Sequence, residues 1–378
     1  MITIGNTEQA KEAGKKRERV VVGMSGGVDS SVAAWLLKEQ GYEVIGVTMK
    51  VWPQDCLSRA EDKCCGPQAI ADARAVAHRL EIPHYVIDEG ENFERLVIGY
   101  FKEEYQSGRT PNPCVICNEK VKFGNLWGKA KSLGAEYIAT GHYAVIEHQA
   151  ERAILRKGRD PKKDQSYFLF SLRQAQLRRA LMPLGGMEKT EIRAIARRLG
   201  LKTADKVDSQ EICFVPGNDY KAFLKTQMGE GDFHPGGIYD RSGNRVAEHE
   251  GIEMFTIGQR KGLPGGSAQP MYVVDIDPST NRVTVGGAED LLTEEFTIDH
   301  CLWHEAPTEP FEVTVKIRYG HPGAEATVFP GENGEARVRL RTPQRAVTPG
   351  QAAVCYRGDE VLGGGWILRQ KAVVPEVV

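Results

Sequence analysis

The stretch Gly23–Ser31 reads "GMSGGVDSS" and follows three consecutive valines, Val20, Val21 and Val22. A short apolar run of this kind suits a strand buried on both faces. Behind it, "SSVAAWLLKEQG" has helical spacing and closes on Gly41. The loop therefore joins a buried strand to a helix N-terminus. Gly26 and Gly27 permit positive φ and close backbone approach, while Ser30 and Ser31 open the helix. Unpaired amides at a helix start, with hydroxyls beside them, make a cradle for phosphate. The Gly-Lys-Ser/Thr ending of the common P-loop is absent, and so is the dinucleotide G-x-G-x-x-G. Asp29 is out of place in an anion cradle until Mg²⁺ is added, which its carboxylate could hold against a leaving pyrophosphate. The plainer alternative is a strand–helix turn whose Asp favours the helix macrodipole.

The same alternation continues outward. "YEVIGVTMKV" reads as the next strand, "PQAIADARAVAHRLEI" as a helix through Ile70, Ala73, Ala77 and Leu80, and "PHYVIDE" as a third strand. "NLWGKAKSLGA" then "EYIATGHYA" repeats the theme, and "KTEIRAIARRLGL" is a helix with Ile192, Ile195, Ala196 and Leu199 on one face. This predicts an α/β domain with a parallel sheet covered on both faces. Residues 218 to about 288 are Gly-rich and turn-rich, which suits a small α+β module. From Phe296 the period is two: Phe311, Val313, Val315 and Ile317 share one face, and Ala336, Val338 and Leu340 alternate with Arg337, Arg339 and Arg341. That pattern predicts a C-terminal β-barrel. The expected division is a lead-in over 1–18, an α/β catalytic domain over 19–215, a central domain over 216–290 and the barrel over 291–378.

The 378 residues carry a formal net charge of -2, so any nucleic-acid surface must be local. No apolar run is long enough to span a membrane. The opening "MITIGNTEQAKEAGKKRERV" has neither apolar core nor cleavage site and is read as a lead-in, not a signal peptide. A cytoplasmic chain would keep its eight cysteines reduced. Five of them, Cys56, Cys64, Cys65, Cys114 and Cys117, cluster early, which favours chemistry or metal over structural disulfides. Cys301 and Cys355 sit in alternating apolar segments and are read as packing residues. The C-x-x-C of Cys114 and Cys117 could also be half of a zinc site completed by Cys64 or Cys65. Segments 54–66 and 104–118 are read as loops that order when a partner binds.

The glycine loop resembles that of the PP-loop ATP pyrophosphatases, which adenylate a carbonyl oxygen and then displace AMP. Four further segments, "GRTPNPCVICN", "TGHYA", "KDQSYFL" and "SQEICFV", with the late "TIGQRKGL", "TPGQ" and "LGGGWI", are similar to the tRNA-specific 2-thiouridylases. The resemblance runs from Arg19 through nearly the whole chain and implies a parallel-sheet PP-loop domain, a small central domain and a barrel. It implies ATP and Mg²⁺ as cofactors, with Gly23, Met24, Ser25, Gly26, Gly27, Val28, Asp29, Ser30, Met49 and Gly141 on the nucleotide. The implied reaction is 2-thiolation of the wobble uridine of tRNA. Cys117 matches the first catalytic cysteine and Cys213 the persulfide carrier; a sulfur donor protein or sulfide is the implied further partner. His142, Lys163, Asp164, Gln165, Arg318, Tyr319 and Gln351 match tRNA-contacting positions. Cys114 stands where many members have an aspartate. With Cys117 and Cys213 it makes a trio that could ligate an iron–sulfur cluster with one iron open for sulfide. The persulfide relay is the alternative, and another PP-loop ligase or a non-catalytic RNA-binding protein are remoter ones. Arg337, Arg339 and Arg341 with Lys316 and Arg318 are expected to form a basic barrel face for phosphates, or else a merely solvated strand face. Tyr143, Tyr167 and Tyr319 are either base-stacking rings or core.

Overall fold

A computed structural model of the chain describes residues 17–51, 66–206, 212–263 and 270–369. The lead-in over 1–16, the segment holding Cys56, Cys64 and Cys65, and Ser209, Gln210 and Glu211 lie outside the described residues. The chain forms two compact units that interleave in sequence. The first takes residues through Glu91, then Lys120–Gln165 and Gln174–Gln210; the second takes Asn92–Glu119, Ser166–Arg173 and Glu211–Val378.

The first unit is built on five parallel strands in the order β3-β2-β1-β4-β7. They are β1 (Arg19–Gly23), β2 (Glu43–Lys50), β3 (His84–Asp88), β4 (Tyr137–Ala139) and β7 (Ala180–Leu181). The hairpin β5 (Ala144–His148) and β6 (Ala153–Lys157) lies between the last two in sequence. Val20, Val21 and Val22 are fully buried, as a central strand covered on both faces requires. Helix α1 (Val28–Glu39) starts one residue after Gly27, and Gly41 at φ +92° ends its connection to β2. Helix α2 (Pro67–Arg79) has Pro at its first turn. Val32, Ala33, Leu37, Ala73, Val76 and Ala77 from these two helices pack with Ile192 and Ala196 of the helix Lys189–Arg198. The strand order reverses at β1: the chain winds outward to β2 and β3, then returns to β4 on the other side. In open α/β sheets ligands bind at that reversal, outside the carboxyl ends of the strands. The Gly23–Ser31 loop leaves β1 at this place.

The second unit holds the central module and the barrel. Strands β8 (Gly236–Tyr239), β9 (Arg245–His249), β10 (Tyr272–Asp277) and β11 (Arg282–Gly286) form a sheet in the order β10-β11-β8-β9. Ile238, Val273, Ile276, Val283 and Val285 form its core with Ile252, Met254 and Phe255. The barrel strands are β12 (Leu292–Trp303), β13 (Phe311–Lys316), β14 (Ala324–Pro330), β15 (Ala336–Arg345), β16 (Ala352–Arg357) and β17 (Glu360–Ile367). They run antiparallel as β12-β15-β14-β13-β16-β17, and β12 pairs again with β17 to close the ring. Closure removes both sheet edges. The alternating residues face as their period predicts: Val313, Val315, Ile317, Ala336, Val338 and Leu340 are buried together. Cys355 is fully buried in the same core and Cys301 packs against it. Burial pushes the Cys301 thiol up to about 12 and the Cys355 thiol up as well, so both act as packing groups.

The expected basic barrel face is not a free positive stripe. Arg337 and Arg339 are exposed on β15, but both bond to Glu295 on β12, at 3.2 and 2.9 Å. Arg341 pairs with Glu325 at 2.5 Å, and the guanidinium groups of Arg337 and Arg339 lie against the Phe329 ring. Cross-strand pairing on one sheet face brings the acids opposite the arginines, which the sequence of one strand alone does not disclose.

Candidate active site

In the first unit the glycine loop is closed by its own side chains. Ser30 Oγ accepts from the Ser25 amide at 3.1 Å, and Ser31 Oγ donates to Gly27 O at 2.8 Å. Gly26 takes φ +68°, whereas Gly27 is extended and caps the helix. Met24 N donates to Val47 O at 2.8 Å, which ties the loop to β2, where Met49 is half-buried near the strand end. Thr48 Oγ1 donates to Met24 O at 2.8 Å and so accepts from His84 Nε2, also at 2.8 Å. From the far side of the reversal, Gly141 presses against the start of α1. A methyl group there would lie 2.7 Å from Ser30 N and 2.8 Å from the Asp29 carbonyl carbon, so this position has no room for a side chain. The segment after β4 and the loop after β1 thus meet backbone to backbone, as a nucleotide cradle at a switch point requires.

Asp29 is not isolated. Both its carboxylate oxygens accept from Lys189 Nζ at 2.8 Å, and Tyr143 OH donates to Oδ1 at 2.7 Å. Tyr143 is buried, and its backbone is held by Gln165, whose Oε1 accepts from Tyr143 N at 3.0 Å. Lys206 extends to the loop as well, donating to Gly26 O at 3.3 Å and to Asp72 at 2.9 Å. Sequence reasoning overlooked Lys189 and Lys206 and left Tyr143 undecided. A signal for Lys189 existed, because a cation in the first turn of a helix opposes the macrodipole and needs a carboxylate nearby. A single carboxylate suits Mg²⁺ bound with a nucleotide, since that ion keeps waters and takes most other ligands from phosphates.

The second unit gathers the cysteine segments around one helix, Gly99–Gln106. Phe101 packs edge-on against Phe214 with ring centroids 5.2 Å apart, and Phe214 also meets Phe93 and Phe223. Phe214 is buried while Cys213 beside it is half-buried. From the same helix, Tyr100 OH accepts from Asn112 N at 3.3 Å. Pro113 then starts the helix Pro113–Ile116 that carries Cys114, and Cys117 opens the π-helical stretch Cys117–Asn125. π-Turns within helices recur at functional sites. Cys114 and Cys117 are half-buried. Among the described residues, no group of three or more His, Cys, Asp or Glu side chains is arranged to hold a metal ion.

The residues matched to RNA contact divide by burial. Arg318 and Tyr319 are exposed, with the Phe168 ring tilted against Tyr319 at 4.4 Å between centroids and Lys316 Nζ 5.6 Å from the Tyr319 ring. Lys163 is half-buried. Asp164 is buried and accepts from Gly158 N at 3.0 Å. His142 is buried, bonded to Thr140 Oγ1 at 2.7 Å, and burial with Lys122 nearby holds its pKa well below the usual imidazole range. Tyr167 is fully buried and donates to Ala352 O at 2.9 Å. Tyr143 and Tyr167 are therefore core residues with bonded hydroxyls, and of the three tyrosines only Tyr319 offers a ring at the surface.

Three family descriptions match this chain in succession. They are a tRNA methyl transferase HUP domain over residues 18–217, a tRNA methyl transferase PRC-barrel domain over 221–287 and an aminomethyltransferase beta-barrel domain over 293–367. Full-length relatives carry a narrower description. The tRNA-specific 2-thiouridylase MnmA 1 of Caldanaerobacter subterraneus subsp. tengcongensis is 53% identical over 92% of this chain and 97% of its own length. The chain belongs to the tRNA-specific 2-thiouridylase family. MnmA of Geobacter metallireducens, 51% identical, and MnmA 2 of Clostridium tetani, 49% identical, each align with 93% of this chain and with 97% and 99% of their own lengths. As a 2-thiouridylase family member the chain has the expected parallel-sheet PP-loop domain, central domain and closed barrel. No described helix is long and apolar enough to cross a membrane.

Proposed function

We propose that this chain performs ATP-dependent 2-thiolation of the wobble uridine of tRNA. The observation that carries this reading is the loop at the β1–β4 reversal, closed on itself by Ser25, Ser30 and Ser31 and approached by Gly141 without a side chain between. Amides there would receive the phosphates of ATP. Asp29 would hold Mg²⁺, which supplies charge neutralisation for the departing pyrophosphate. Lys189, already on Asp29, keeps a positive charge at the same place. The uridine O2 attacks the α-phosphorus, pyrophosphate leaves, and the base carries AMP on O2.

Sulfur enters next. A persulfide-bearing donor protein passes its outer, sulfane sulfur to the Cys213 thiolate and leaves as a thiol; the terminal sulfur of the resulting Cys213 persulfide attacks C2, the C–O bond breaks and AMP departs with the oxygen. The Cys117 thiolate then attacks the Cys213 sulfur, releasing the base with its C2–sulfur bond and leaving a Cys117–Cys213 disulfide. A two-electron dithiol reductant restores both thiols. Arg318, Tyr319 and Lys316 supply a cationic and aromatic surface of the kind that receives unstacked bases and phosphates. The cytoplasm, where tRNA and reducing thiols occur, is the implied compartment.

A cluster on Cys114, Cys117 and Cys213 would need three gathered thiolates; no such donor group is arranged among the described residues, so no step is routed through one. The deciding experiment is anaerobic purification followed by parallel assay of iron, acid-labile sulfide, AMP release and 2-thiouridine formation. Thiolation of tRNA by iron-free protein supplied with a persulfide donor supports the relay. Iron and sulfide that track activity and vanish in Cys114→Ala would replace it with the cluster. No AMP release with tRNA under either condition would sink the adenylation reading.

A further inference from the structure

The turn over 107–112 connects the helix Gly99–Gln106 to the helix bearing Cys114, with Cys117 directly after it. Pro111 and Pro113 have no amide hydrogen, so this turn cannot close on itself as a helix would. The carbonyls of Thr110 and Pro111 precede the helix, and Pro111 is buried, so they need partners from elsewhere. The barrel supplies them. Gln351 Nε2 donates to Thr110 O at 3.1 Å and to Pro111 O at 3.0 Å, which commits both amide hydrogens.

The neighbours of Gln351 act on the same turn. Thr110 N donates to Pro349 O at 2.8 Å. Asn112 Nδ2 donates at 3.4 Å to the Tyr167 hydroxyl, which in turn donates to Ala352 O. Gly350, at φ +85°, passes so close that a methyl group would lie 2.9 Å from Arg109 Cβ, Glu104 Oε2 and Thr110 O. Glu104 holds Arg109 from the other side, with Arg109 Nε 2.8 Å from Oε2. Pro349, Gly350, Gln351 and Ala352 therefore form a clamp on the turn.

We propose that Gln351 is a positioning residue, acting through the Thr110–Asn112 turn on the helix that presents Cys117. A surface role toward RNA would leave the amide donors pointing outward; here they are used inward. The proposal rests on the reading of Cys117 as the sulfur-handling thiol, but its first readout does not. In full-length Gln351→Leu, backbone hydrogen exchange in peptides covering residues 107–118 should rise at least about fivefold, the size of one lost hydrogen bond. Labelling of Cys117 by iodoacetamide should accelerate while kcat for thiolation falls, and KM for tRNA should change less than kcat. Gln351→Lys, whose ammonium can donate to both carbonyls, should restore protection of the turn. Unchanged exchange and labelling with lost tRNA affinity would overturn the proposal. Exchange rising equally through all barrel strands would overturn it too, because the clamp is local. Faster exchange with kcat unaltered would overturn the positioning role, whereas full thiolation by Cys117→Ser would overturn the reading of Cys117 on which it rests.

Discussion

The nucleotide loop and the cysteine turn are both one strand–turn–helix or helix–turn–helix step long, yet they are held in opposite ways. The hydroxyls of the loop bond to its own backbone within five residues, with Thr48 and Lys206 adding support from farther along the chain. Most of what shapes the turn comes from the barrel, 241 residues away at Gln351 and Thr110. A locally held site can be recognised from a short motif. A site held by distant residues shows its chemistry in the sequence but not its support.

Substitutions can test this contrast. The largest effect is expected at Asp29. Asp29→Ala should slow tRNA-dependent pyrophosphate release about 100- to 1,000-fold, the loss typical of removing one group that stabilises developing charge. Cys117→Ser should abolish 2-thiouridine formation yet leave pyrophosphate release within a few-fold of wild type; parallel loss of both would mean that the two sites do not work separately. Gly141→Val should destabilise the first unit by about 1–3 kcal/mol in urea titrations, because backbone atoms on both sides leave no space. It should weaken ATP binding in calorimetry at the same time.

A smaller, pH-dependent effect should arise at His142. Its folded pKa is depressed, so the unfolded chain binds the extra proton first, and stability is present near neutrality and lost as pH falls through the ordinary imidazole value of about 6.5. Urea midpoints measured from pH 7 to pH 5 should therefore fall, and less steeply in His142→Asn. The smallest effect is expected at Arg339→Ala. Its exposed pairing with Glu295 should contribute less than about 1 kcal/mol to stability. The salt dependence of tRNA binding should hardly move if Glu295 already neutralises this face. A reduction of the slope by about one ion would restore Arg339 as a phosphate contact.

The same contrast explains which features the sequence discloses. The valine run, the Gly-Gly-x-Asp-Ser loop and the period-two strands disclosed the sheet, the strand–helix loop and the barrel because each is written in neighbouring residues. Lys189 on Asp29 was not legible, since the partner is 160 residues away and the lysine looked like part of an ordinary amphipathic helix. The arginine row on β15 was legible as a row, but its neutralisation by Glu295 depends on the β12–β15 register. Gln351 was singled out through family resemblance alone, as a tRNA-contacting position, and its bonds to Thr110 and Pro111 were not legible. The tyrosines illustrate a further limit: Tyr143, Tyr167 and Tyr319 have the same ring, and only tertiary burial separates two core residues from one surface platform.

The interleaving of the two units also has a consequence for how the protein is born. A ribosome adds about 5–20 residues per second and releases domains in order from the N-terminus. The glycine loop and most of its sheet can collapse once the first two hundred residues have emerged. The turn before Cys117 is made early but waits for Gln351, and the 241-residue separation takes roughly 12–50 seconds to synthesise at that rate. During that interval the nascent chain would carry a nucleotide cradle and an unclamped thiol helix. A truncated product that never reaches the barrel would keep the first without securing the second, so only a nearly complete translation product would have both sites in order.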